Sequence, residues 1–130
     1  MKKSIFSLTM VLVLGLVSCN DIKNKPAVNI NEANIEGTYI CVEADINCPN
    51  KTQSIRIEIC DAENGQIKLA KDFTDSKYVG KLNIPEFHEH IDINDSKVQE
   101  NDLLRMTVTD QEKLQTVATK ALTAEEEDED

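Results

Sequence analysis

Tryptophan is missing from this 130-residue chain, and other aromatics are scarce, with two tyrosines and three phenylalanines. A core must therefore be built from aliphatic side chains, and at this length it is modest. Glycine is equally sparse, four residues in all, and none falls into a phosphate-cradling loop. Gly-x-Ser-x-Gly and His-Glu-x-x-His are also absent. The usual nucleotide-binding, serine-hydrolase and zinc-peptidase layouts are thereby excluded, and the chain is expected not to be an enzyme. Positive charge is in deficit, with 14 Lys and Arg against 24 Asp and Glu, a net of −10. That balance argues against nucleic acid and against direct adsorption on anionic headgroups. No apolar run reaches the ~20 residues of a membrane-spanning helix.

A shorter apolar run does exist. Met1-Lys2-Lys3 precedes "IFSLTMVLVLGLV", and polar Ser18, Asn20 and Asp21 stop it. A charged stub, about a dozen apolar residues and then small ones form the three-part layout of a secretory signal peptide. Leu16-Val17-Ser18-Cys19 resembles the lipobox of bacterial lipoproteins. The resemblance implies cleavage after residue 18 and a covalent diacylglyceryl and acyl lipid on Cys19. It also implies a membrane-anchored place in the bacterial envelope, with the lipid as the only membrane contact. Anchoring by more than one acyl chain is stable, at about 0.8 kcal/mol per buried methylene. Loss of Lys2 and Lys3 leaves the mature chain near −12, and six of those charges form the terminal "EEEDED".

Four segments follow: signal peptide 1–18, lipidated flexible tether 19–34, folded domain 35–122 and acidic disordered tail 123–130. The tether reading rests on the polar, Asn-rich "NDIKNKPAVNINEAN", although Val28 and Ile30 alternate as in an edge strand. From Ile35 the patterning is β. "GTYICVEAD" is β-branched and aromatic, and "SIRIEIC" alternates with Ile55, Ile57 and Ile59 on one face. Asn64-Gly65 predicts a hairpin turn, after which Ile67 and Leu69 resume the alternation. "KYVGKLNI" places Tyr78, Gly80, Leu82 and Ile84 on one face, and Pro85 interrupts. "EFHEHIDI" turns Phe87, Ile91 and Ile93 inward, and "LLRMTVTD" does the same with Leu104, Met106 and Val108. About seven short strands at this spacing predict an all-β fold, a small Ig-like or C2-like β-sandwich. Residues 112–122 are ambiguous: Leu114, Val117, Ala118, Ala121 and Leu122 fit a C-terminal helix, with Thr109 and Glu112 as a capping box. Thr116, Val117 and Thr119 favour a strand, which is the preferred reading.

Two constellations are candidates for metal. His88, His90 and Asp92 form His-x-His-x-Asp, whose members project from one face of a strand. Imidazoles beside a carboxylate suit zinc or copper, but the same alternation describes the outer face of any half-buried strand. "DFTDSKYV", "IPEFHEHIDI" and "LLRMTVTDQE" are together similar to stations of a C2 domain. That resemblance implies calcium-loop positions for Asp72, Asp75, Asp110 and Glu112. It departs from the family in the short spacing between Tyr78 and Pro85 and in having Glu112 where an aspartate is usual. "DINDSKVQEND" lacks the glycine and final glutamate of an EF-hand. No cofactor is required by any motif.

Beyond Cys19 stand Cys41, Cys48 and Cys60, with no Cys-x-x-Cys spacing. Cys41 and Cys48 flank a turn-rich stretch and are the candidate disulfide, leaving an odd thiol. The function expected is a lipid-anchored, non-enzymatic binding or accessory module with an envelope or secreted protein partner. Alternatives are an immunity or inhibitor lipoprotein against a basic toxin or enzyme, and a calcium- or zinc-dependent binding module.

Overall fold

A computed structural model describes residues 24–124. Residues 1–23, on which the signal-peptide and Cys19 lipidation readings fall, and the acidic run 125–130 lie outside the described residues. The chain forms eight strands: β1 (Ala27–Glu36), β2 (Tyr39–Asn47), β3 (Thr52–Cys60), β4 (Ile67–Phe73), β5 (Asn83–Asp92), β6 (Leu103–Asp110), β7 (Gln115–Ala121) and β8 (Thr123–Ala124). They make two four-stranded sheets, in the orders β5-β2-β1-β8 and β4-β3-β6-β7. The fold is a small all-β sandwich.

Alternation explains the packing. Ile40, Val42, Ala44 and Ile46 of β2 face Ile55, Ile57 and Ile59 of β3 and Leu104, Met106 and Val108 of β6 across the interior, each at most 1% exposed. Aliphatic β-branched residues dominate, as a chain poor in aromatics requires. The aromatic contribution is concentrated in one cluster. Phe73 packs edge-on to both Tyr78 and Phe87, with ring centroids 6.0 and 5.5 Å apart, within the span of favourable aromatic pairs.

Several expectations are corrected. Residues 27–34, assigned to the tether, are most of β1, which pairs antiparallel with β2 from Ala27↔Asn47 to Glu36↔Tyr39. Val28 and Ile30 are half-buried and pack against the core, and Asn29 between them is exposed. Thr123 and Ala124, assigned to the tail, are β8, which pairs parallel with Asn34 and Ile35. The C-terminal helix is not formed: β7 pairs antiparallel with β6 from Leu103↔Ala121 to Thr109↔Gln115. The chain crosses from one sheet to the other at Leu122, which is fully buried.

The stretch around Tyr78 is a series of turns. Tyr78 and Val79 amides donate to the Asp75 carbonyl, and Gly80 adopts φ +89°, a left-handed conformation that breaks a strand. Tyr78 still reaches the core, 3% exposed, but Leu82 is 52% exposed, as Ile67 is at 47%. Pro85 does not end a strand. It lies within β5 at a bulge, where Pro85 and Glu86 together oppose Asp45. A bulge on an edge strand is where proline, lacking an amide donor, fits. The β3–β4 hairpin forms, though it closes on Asp61. The Asp61 carboxylate accepts the Glu63 and Asn64 amides, which hold it below the usual carboxylate range.

No disulfide joins Cys41, Cys48 or Cys60. Cys41 lies near the start of β2 and Cys48 just past its end, about 20 Å apart at strand rise, so the candidate bond is geometrically barred. Cys48 is buried in the core, and burial pushes its thiol pKa up.

The outer face of the β4-β3-β6-β7 sheet is neutralised from within. The Glu58 carboxylate accepts Arg56 Nε at 2.9 Å and Arg105 Nη2 at 2.6 Å, and Arg56 also holds Asp72 at 3.0 Å. Hydrogen bonds from Arg56, then from Arg105, lower the Glu58 pKa. A carboxyl whose folded pKa is depressed stabilises the fold above its unfolded value and loses that contribution as pH falls. Stability is therefore expected to decline below about pH 4.5, the ordinary value of this group. Glu58→Gln is expected to flatten that acid limb and to cost about 1 kcal/mol at neutral pH. Urea titrations of both proteins across pH 3 to 7 check this; an unchanged acid limb would reject the assignment.

Candidate functional site

The opposite outer face, on strands β5, β2 and β1, differs in kind. These three strands contain no lysine or arginine, whereas Glu32, Glu36, Glu43, Asp45, Glu86 and Asp92 all take outward positions. The other sheet carries Arg56, Lys68, Lys71, Arg105 and Lys120 on its strands. Charge is thus segregated between the two sheets.

Strand register arranges the acidic face in cross-strand rows. Glu36, Tyr39 and Asp92 make one row, Asn34, Cys41 and His90 the next, and Glu32, Glu43 and His88 the third. Cys41 occupies the middle. It points outward, opposite in sense to Ile40 and Val42, yet is only 5% exposed because its neighbours cover it. Directly opposed residues on paired strands hold their Cβ atoms about 5 Å apart. His90 is thereby placed beside Cys41, and His88 reaches it along the diagonal.

The resulting cluster is compact. The Cys41 Sγ and His88 Nε2 are 3.3 Å apart, and the donor atoms of Cys41, His88 and His90 all lie within 4.8 Å of one another. Glu43 Oε2 stands 3.8 Å from the same His88 Nε2. The His90 ring stacks on Tyr39 at 4.4 Å with 21° between planes, and the Tyr39 hydroxyl donates to Glu36 at 3.1 Å. On the far side, Glu32, Glu36 and Cys41 form a second group within the same limit. Asn34 braces it by donating to Glu32 at 2.5 Å. Shallow depressions of about 280 and 390 Å³ flank β5, and His88 lines both.

Of the sequence candidates, His88 and His90 are brought together. Asp92 shares their face but sits a row away, opposite Tyr39, and Cys41 takes the place expected of it. Periodicity could not show this, because the partner comes from the neighbouring strand.

The four calcium candidates do not converge. Asp72 of β4 opposes Arg56 and Asp110 of β6 opposes Thr52, four positions apart along β3 and on opposite sides of it, therefore roughly 16 Å from one another. Asp72 is engaged by Arg56, and Asp75 is in the turn before Tyr78. Asp110 is buried in its own turn and Glu112 is exposed.

Glu89, on the inner side of β5, takes hydrogen bonds from the Tyr78 hydroxyl and from Lys77. Burial acts to raise the Glu89 pKa, but these two hydrogen bonds and the Lys77 charge outweigh it, and the net direction is down. Tyr78 is driven upward, first by burial and then by its bond to Glu89.

No protein-family model and no curated protein matches the chain. Among solved structures it is similar to wild-type OgpA from Akkermansia muciniphila, with a TM-score of 0.58 and 16% identity, covering 75% of this chain and 27% of that one. Catalytically inactive OgpA from the same organism, in complex with the O-glycopeptide glycodrosocin, gives a TM-score of 0.57 at 15% identity, covering 75% of this chain and 28% of that chain. The chain thus spans little more than a quarter of OgpA, and what the two share is the fold.

Proposed function

We propose that this chain is a lipid-anchored, non-enzymatic binding module of the bacterial envelope, which receives a basic protein surface on the outer face of β5, β2 and β1. The observation that carries the reading is the segregation of charge: on that face carboxylates are spread over three strands without lysine or arginine. The opposite face, by contrast, pairs Arg56 and Arg105 with Glu58 and Asp72. An uncompensated field of one sign steers an oppositely charged partner and selects against others. An accessory subunit of an envelope assembly and an inhibitor lipoprotein covering a basic toxin or enzyme both belong to this class. The lipobox-like Leu16-Val17-Ser18-Cys19 supports the anchor.

The test is photo-crosslinking in intact cells from Asp45 on the acidic face and from Thr107 on the opposite one. Expected is an adduct from position 45 alone, with a protein whose contact surface is basic, reduced at least about tenfold by Glu86→Lys with Asp92→Lys. Cys19→Ala is expected to release the protein from the membrane fraction. Adducts from Thr107 only, or none from Asp45, would overturn the docking face.

A further inference from the structure

We infer that Cys41, His88 and His90, completed by Glu43, form a binding site for a transition-metal ion of the zinc class. The site does not depend on a protein partner, since its test is metal binding by the chain alone.

Donor chemistry and geometry point the same way. One thiol and two imidazoles are the ligand types that zinc and its neighbours take in tetrahedral sites, at about 2.3 Å for sulfur and 2.1 Å for nitrogen. A tetrahedron with those bonds has a sulfur–nitrogen edge of about 3.6 Å. The observed Cys41–His88 separation is 3.3 Å. The Glu43 carboxylate, 3.8 Å from the same nitrogen, needs only a side-chain rotation to supply the fourth donor. His88 and Glu43 are 51% and 41% exposed, so both are free to make that adjustment. Tyr39, stacked on His90, fixes one imidazole and acts as a positioning residue.

Charge also balances. Binding breaks the Cys41 S–H bond, forms a metal–sulfur bond and passes the proton to solvent, as metal binding by thiols requires. Thiolate and Glu43 carboxylate then offset the two positive charges of the ion. The carboxylates of Glu32 and Glu36 lie on the other side of Cys41 and add to the attraction without being needed as ligands. A hard ion such as calcium takes six to eight oxygens and has no use for the thiol at the centre.

The experiment is a cobalt(II) and zinc(II) titration of the detergent-solubilised full chain. Expected is a thiolate-to-cobalt charge-transfer band in the near ultraviolet that saturates at a single equivalent and is displaced by zinc but not by calcium. Cys41→Ser is expected to abolish the band, whereas Cys19→Ser, Cys48→Ser and Cys60→Ser leave it intact. His88→Ala and His90→Ala are each expected to weaken zinc binding at least about tenfold, since even supporting residues around a metal cost that much. Both histidines are exposed, so these variants retain the fold. No charge-transfer band, a band that survives Cys41→Ser, or displacement by calcium would overturn the site.

Discussion

Replacing Asp110 with alanine is expected to lower the unfolding free energy by about 3 to 4 kcal/mol, enough to shift the melting temperature down by at least about 12 °C. The side chain is wholly buried and satisfies three donors. Its Oδ1 accepts the backbone amides of Glu112 at 2.9 Å and Leu114 at 2.8 Å, and its Oδ2 accepts the Asn50 side-chain Nδ2 at 3.1 Å. It thereby ties the β6–β7 turn to the β2–β3 connection. Alanine would leave the Glu112 and Leu114 amides without their shared acceptor, each at a cost of about 1 to 3 kcal/mol, and would take from the Asn50 side chain one of its two acceptors, the other being the Asn24 carbonyl. Asp110→Asn keeps one acceptor oxygen and is expected to cost about half as much. Thermal melts of the three proteins with and without calcium separate this role from the calcium ligand that the C2 resemblance implied. A calcium-dependent rise in the wild-type melting temperature that Asp110→Asn removes would show the ligand role instead.

Phe87→Ala is expected to be as damaging, at about 4 kcal/mol, the usual range for a buried phenylalanine. Phe87 is 1% exposed and is the largest fully buried side chain among the described residues. Its ring meets Phe73 at 5.5 Å and Tyr78 at 5.0 Å, so the cavity opens at the centre of the aromatic cluster in a mostly aliphatic core. Phe87→Leu fills much of the volume and is expected to recover more than half of the loss. Equilibrium urea unfolding measures both, and a loss below 1 kcal/mol for the alanine variant would mean that the two sheets collapse onto the gap.

The parts of this fold that period-two patterning controls were legible. Ile55, Ile57 and Ile59, Leu104, Met106 and Val108, and Phe87 with Ile91 all fill the core as their alternation required. Where one residue type serves two structures, legibility failed. The polar Asn and Glu residues of β1 suit a tether, and they equally suit the outer side of a strand whose inner side needs only Val28, Ile30, Ala33 and Ile35. Thr109 and the acids after it look like a helix start, but Asp110 spends its carboxylate on a hairpin turn. The candidate site was half visible. His-x-His is a local pattern, whereas the thiol that completes it is 47 residues from His88 in sequence and is brought there by β2–β5 register alone.

The placement of β1 has a mechanical consequence. It is held on both sides, by β2 along nine paired positions and by β8 through Asn34 and Ile35, and its first residue is only eight positions after Cys19. A lipid at Cys19 would keep the domain within about 28 Å of contour length of the membrane. Were Cys19 lipidated and a partner seated on β2 and β5, tension between the two would enter the domain at Ala27, the start of β1. A pull along the strand axis would load the β1–β2 ladder in shear, with its backbone bonds sharing the force instead of opening one after another. Under that load the domain would serve as a tensile link, with β1 as the element that carries the force into the sheet.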